Sequence, residues 1–132
     1  MVSFHSHLLL LTLTLTLILL TFPPSVQANG CYTSGLTWSD VGISDSLSAY
    51  AKKACNSFKG SFHAKQSKRK CYNTENGDRV NFVVKNRKGV RNSLTEQDCH
   101  KNMLKEMKAC DMGSEQDHGE FFYRDDPNGG KC

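Results

Sequence analysis

The chain has 132 residues, a formal charge of +4 and 38% hydrophobic residues. That is room for one domain with a modest core. The positive surplus is mild, so it permits contact with anionic partners without demanding it.

Residues Leu8 to Leu20 read LLLLTLTLTLILL, an uncharged run that falls short of the ~20 apolar residues a membrane span needs. Its length suits a signal-peptide core, and Val26-Gln27-Ala28 places small residues where a signal peptidase cuts. The sequence predicts a signal peptide over residues 1–28 and a secreted, extracellular domain over residues 29–132, with no membrane span. Beyond Ala28 there is no repeat, no low-complexity segment and no Asn-x-Ser/Thr sequon. All six cysteines, Cys31, Cys55, Cys71, Cys99, Cys110 and Cys132, lie in the secreted part. An even number in a short secreted chain predicts a disulfide framework, here three intramolecular bridges with Cys132 in one of them; the pairing is left open. No CxxC pair occurs, so a zinc site is not expected, and the sequence calls for no cofactor.

CYTSGLTW reads as a short extended piece followed by a loop. From Asp45 to Phe58, Leu47, Tyr50, Ala51, Ala54, Cys55 and Phe58 recur at helical spacing, with Ser44 or Asp45 as the cap and Gly60 as the stop. Asn76-Gly77 is a strong hairpin signal, read as a two-residue type I′ turn. That turn pairs Thr74 with Arg79, Asn73 with Val80, Cys71 with Phe82 and Lys68 with Lys85, and places Cys71 on the face of Val80, Phe82 and Val84. Val83, among polar neighbours, implies that the second face is partly covered as well. Ser93-Leu94-Thr95-Glu96 has the form of a capping box, and Cys99, Met103, Met107 and Cys110 form one stripe behind it, giving a helix over Ser93–Cys110. Gly119 to Arg124 is then a final strand that runs into an Asp-Pro turn. Strand, helix, hairpin, helix, strand predicts an α+β fold in which one antiparallel sheet carries the helices.

Catalysis has little to stand on. Of the three histidines of the secreted part, His63, His100 and His118, none sits in a nucleophile or acid–base signature. Glu120, His118 and Arg124 could in principle serve a ribonuclease as base, acid and phosphorane-binding cation, but solvated surface charge is the simpler account and no catalytic residue is assigned. Lys65, Lys68, Arg69, Lys70, Lys85, Arg87, Lys88 and Arg91 gather at the open end of the predicted hairpin. Like charges set opposite one another cost stability, which suggests a surface for an anionic polysaccharide or another anionic partner; protection of a sheet edge is the competing account. Tyr32, Trp38, Phe121, Phe122 and Tyr123 flank Asp40, Arg124, Asp125, Asp126 and Asn128. Rings beside such polar groups are the usual platform for sugars, although alternation along the last strand must bury either Phe122 or both Phe121 and Tyr123.

GCYTSG…W, AxxAC, CxNxxNG…VxFxV, LxxxxC with a helix to KAC, and the terminal YRxDPNxGxC occur in this order from Cys31 to Cys132. The arrangement resembles the small secreted fungal lectins typified by an ink-cap mushroom glycan-binding protein. Where that family often carries tryptophan in the aromatic run, this chain has Phe121. The resemblance implies an α/β/α sandwich with one antiparallel sheet, a homodimer joined through sheet edges, and non-enzymatic binding of N-acetylhexosamine-type glycans. The glycan-binding candidates are Tyr32, Trp38, Asp40, Tyr123, Arg124, Asp126 and Asn128. The expected function is that of a secreted, non-enzymatic, lectin-like carbohydrate-binding protein. A small cysteine-rich effector or killer-type toxin is the first alternative, and a secreted ribonuclease the second.

Overall fold

The structure is a computed structural model that describes residues 30–132. The signal peptide read in residues 1–28 lies outside the described residues. A 3-10 turn over Ser44–Ser46 leads into helix α1, Leu47–Phe58. Strands β1 (Gly60–Phe62), β2 (Ser67–Asn73), β3 (Arg79–Asn86) and β4 (Asn92–Leu94) follow, then helix α2 (Glu96–Ala109) and strands β5 (Ser114–His118) and β6 (Phe121–Asn128). One antiparallel sheet has the order β2-β3-β6-β5, and β1 pairs with β4 in a separate two-stranded ribbon. The fold is α+β, as the sequence predicts.

Both helices pack on the same face of the four-stranded sheet. Val80, Phe82, Val84, Phe121 and Tyr123 point into one core with Ala51, Ala54, Phe58, Met103 and Met107. The small residues Ala51 and Ala54 let α1 approach α2 closely, and Cys55–Cys99 joins the two helices at a Cα separation of 5.5 Å. Among the described residues the opposite face is open. The layering is therefore helices on sheet, without the further helical layer that the resemblance implied, because the alternate residues on that face are too polar to bury one. Phe121 belongs to the core, edge-on to Phe62 at a ring separation of 5.2 Å. The departure from tryptophan thus falls on the buried side of the strand.

The β2–β3 hairpin differs from the expected register by one residue. The Gly77 N–H donates to Thr74 O and the Thr74 N–H to Asp78 O, so the loop is Glu75-Asn76-Gly77. This is the three-residue form, a tight turn closed by a left-handed residue, and Gly77 takes that place with φ +84°. Asn73 therefore pairs with Arg79, Cys71 with Asn81, Lys68 with Val84 and Ser67 with Lys85. A one-residue slip exchanges the two faces of a strand. Lys68, Lys70 and Tyr72 turn to the helices, while Arg69 and Cys71 turn to the open face.

Helix α2 starts at Glu96, three residues after the predicted start at Ser93. Thr95 is its cap, with Oγ1 accepting from the Asp98 N–H at 3.1 Å and donating to the Asp98 carboxylate at 2.6 Å. Ser93 and Leu94 are instead held in β4, against Ser61 and Gly60. Strand β5, Ser-Glu-Gln-Asp-His, has no apolar residue and was not anticipated. It reaches β6 through Gly119-Glu120, a two-residue turn with positive φ at Gly119 alone, as the II′ form requires. β6 runs on through Pro127, beyond its last pair with β5 (Ser114 with Asp125), where a missing N–H is tolerated.

Three bridges form, Cys31–Cys110, Cys55–Cys99 and Cys71–Cys132. The last draws the tail back across the hairpin: Arg79 Nη1 donates to Gly129 O at 2.6 Å, Asp78 accepts from the Gly130 N–H, and Asn73 accepts from the Cys132 N–H at 2.7 Å. A segment with two adjacent glycines is thereby fixed to β2.

Candidate functional site

The open face is ordered in cross-strand rows. One runs Arg69, Val83, Arg124, Glu115; the next runs Ser67, Lys85, Phe122, Asp117; a third runs Cys71, Asn81, Asp126. Neighbouring strands lie about 4.8 Å apart, so side chains two strands apart in a row are separated by roughly 10 Å, the scale of one or two sugar rings. An open groove of about 660 Å³ follows these rows, with Val83 and Phe122 as its apolar floor and Arg69, Lys70, Lys85, Arg124, Asn81 and Glu115 around it. Phe122 is braced on one side by the Arg87 guanidinium, 5.8 Å from the ring centre, which also pairs with Asp117 at 3.1 Å.

At the β5–β6 side the polar groups hold one another in place. Arg124 Nη2 donates to Asp126 at 2.7 Å, and Arg124 Nε stands 3.6 Å from Glu115. The Tyr32 hydroxyl donates to Glu115 at 2.7 Å, and the Arg124 guanidinium lies 5.9 Å from the Tyr32 ring centre. Burial and the hydrogen bond to Glu115 push the Tyr32 phenol well above its ordinary range. Burial works against the Arg124 cation, but the bond to Asp126 and the charges of Tyr32, Asp126 and Glu115 outweigh it and raise its pKa. Tyr32 reaches this group because the N-terminal segment adds to the sheet edge: Cys31 bridges to Ser114, and the Tyr32 N–H donates to Gly113 O.

Residues 47–132 match the model of the family described as glycan binding domain Y3, a stretch that runs from the start of α1 to Cys132. The chain belongs to this family. A search of curated protein sequences finds no match. The Y3 match includes every groove residue named above, whereas Tyr32, Trp38 and Asp40 precede it.

The seven glycan-binding candidates divide. Tyr32, Arg124, Asp126 and Asn128 share the open face of the four-stranded sheet. Asn128 is two residues beyond Asp126, the next position on the same face, and its side-chain amide donates to Asp126 O. Trp38 is a core residue, 3% exposed, with its indole N–H donating to Cys110 O at 2.8 Å. Tyr123 is 1% exposed beneath α2. Neither ring is offered to a ligand: alternation buries Phe121 and Tyr123 and leaves Phe122 on the groove. Asp40 closes its own turn, accepting from the Thr37 N–H and hydroxyl at 2.8 Å, and these bonds hold its carboxyl below its ordinary value. Phe122, considered with the aromatic run but left out of the glycan-binding candidates, and Val83, Asn81 and Glu115, not read as site candidates, line the groove. The signal for the first two was available, since burial of Phe121 and Tyr123 necessarily turns Phe122 outward beside Val83.

The basic cluster does not stay together. Lys68 lies opposite Val84 rather than Lys85, with its ammonium 4.0 Å from the Phe62 ring centre and donating to Phe58 O at 3.2 Å. Burial lowers its pKa. Lys65 donates to Arg87 O, Arg87 pairs with Asp117, and Lys88 pairs with Glu120. Of the eight, Arg69 and Lys85 remain on the open face, Lys70 borders the groove, and Arg91 lies in the exposed β3–β4 loop. Lys68 works as a packing residue at the end of α1, so Lys68→Ala is expected to lower stability by about 1 kcal/mol through the lost cation–ring contact and buried stem. Thermal unfolding checks this; an unchanged or higher melting temperature would return Lys68 to the class of repelling surface charges.

The three residues considered for ribonuclease chemistry point apart. His118 faces the helices, with Nε2 2.7 Å from Glu106. Arg124 is on the open face. Glu120 stands in the β5–β6 turn, bound to Lys88 and Asn92, and those bonds hold its carboxyl below its ordinary value.

Proposed function

We propose that this chain is a secreted, non-enzymatic carbohydrate-binding protein that holds its glycan on the open face of the four-stranded sheet. The observation that carries the reading is the groove itself: an apolar floor of Val83 and Phe122 beside Arg124, Glu115 and Asp126, which are already locked to one another. A pyranose presents a CH-rich face to an aromatic ring and hydroxyls to fixed donors and acceptors. Groups held by their own ion pairs lose little freedom on binding, which favours affinity for a polar ligand. The family described as glycan binding domain Y3 supports the same ligand class, and an N-acetylhexosamine-type sugar is the one the resemblance implies. Secretion rests on the leader read in residues 1–28 and agrees with three disulfides. β2 is an edge strand of the sheet, a position that suits a homodimer formed by joining sheets.

A glycan array on the oxidised mature chain tests the reading. Binding to a defined set of glycans is expected, with Phe122→Ala and Arg124→Ala each weakening it by about tenfold or more, equivalent to loss of a ring contact or a charged hydrogen bond. Unimpaired binding by both variants would move the site off this face. If no glycan binds above background, the effector reading takes its place; RNA cleavage abolished by His118→Ala would instead make the protein an enzyme.

A further inference from the structure

The two sides of the groove differ in how their charges are met. On the β5–β6 side, Arg124 is matched by Asp126 and Glu115, and Arg87 by Asp117. On the β2–β3 side, Arg69 and Lys85 belong to no ion pair among the described residues. They are diagonal neighbours: Arg69 is directly opposite Val83, and Lys85 is two residues along the same strand. Like charges at such positions repel. Lys85 is also half-buried in the groove wall, where screening by water is reduced.

We propose that the Arg69 and Lys85 end of the groove receives an anionic substituent, so that the preferred glycan is an acidic saccharide carrying a carboxylate or a sulfate. This rests on the glycan-binding reading of the same face and adds the ligand's charge and its orientation. The sugar ring lies over Phe122 and Val83, its hydroxyls meet Arg124, Glu115 and Asp126, and its acidic group points to β2. Arg69 supplies a planar fork of donors that matches either oxyanion, and Lys85 supplies a point charge beside it. No equivalent place exists on the β5 side, where Glu115 and Asp117 would repel the same group.

The test is calorimetric titration of the oxidised chain with short oligosaccharides in three arms: neutral N-acetylglucosamine oligomers, hyaluronan tetrasaccharide as carboxylate, and a sulfated tetrasaccharide. At least one acidic arm is expected to bind about tenfold tighter than the neutral one, with the excess lost as salt is raised. Arg69→Gln with Lys85→Gln should remove that excess, so that the acidic and neutral arms bind alike, while Arg91→Gln, outside the groove, should leave the preference for the acidic arm intact. Which acidic arm leads identifies the substituent. Equal binding of neutral and acidic arms, or a preference that survives the double variant, overturns the proposal and leaves the glycan reading standing. Failure of all three arms overturns both.

Discussion

Replacing Cys55 and Cys99 together with alanine is expected to cost about 2–5 kcal/mol of stability. For a domain of this size that corresponds to a fall in melting temperature of roughly 10–25 °C. The two sulfurs are fully buried between α1 and α2, and their bridge closes a separation of 44 residues. Its loss frees the unfolded chain and leaves a gap in the seam that Ala51 and Ala54 otherwise keep tight. Cys71→Ala with Cys132→Ala also releases a loop, but its native consequence is confined to the tail, since Cys132 is exposed. Calorimetry of both double variants checks the order. A shift of only a few degrees for the Cys55 and Cys99 pair would mean that the helix seam holds without its bridge.

Stability is expected to fall as pH rises from about 4 to about 8, with Asp125 as the main cause. Its side chain is fully buried, with one carboxyl oxygen accepting from Ser114 Oγ at 2.9 Å and the other without a partner. Burial, opposed by Ser114 and reinforced by the charges of Glu106 and Asp126, pushes its pKa up to about 8. In the unfolded chain the same group ionises near 4. Below that pH both states carry the proton and the contribution is whole. Above it the unfolded state gives the proton up first, so stability is lost at up to about 1.4 kcal/mol per pH unit until the folded group ionises too. The exposed carboxylates Asp40 and Glu120, whose pKa values are lowered, act in the opposite sense and at more acid pH. Asp125→Asn cannot ionise and should flatten the profile between pH 4 and 8, whatever its effect at one pH. Parallel profiles for the two proteins would assign the slope to another group.

The hairpin explains how far the sequence could be read. Val80, Phe82 and Val84 mark one face of β3 under either turn, so the buried side of that strand was legible. β2 has only Cys71 and Tyr72 as apolar residues, and Lys68 buries its stem, so nothing in its own pattern corrected a turn misjudged by one residue. β5 was invisible for a similar reason: its inward residues are Ser114, Gln116 and His118, and only the Gly119-Glu120 turn marked it. Helix α1 and the stripe of α2 were plain because apolar spacing alone defines them, whereas the start of α2 turned on which of two adjacent capping patterns was used. The site was half legible. Arg124, Asp126 and Asn128 lie on the open face because they alternate with buried residues, and the same alternation removes Tyr123. Trp38 could not be placed, since its fate depends on Cys110 O, 72 residues away.

Amide chemical-shift mapping of the oxidised, ¹⁵N-labelled chain during titration with an N-acetylglucosamine oligosaccharide tests most directly whether the open sheet face is the binding surface. The account predicts saturable shifts concentrated at Val83, Lys85, Phe122, Arg124 and Asp126, with the exposed residues of α1 and α2, such as Lys52 and Lys101, unmoved. Shifts clustered on the helices, with β3 and β6 silent, would contradict it.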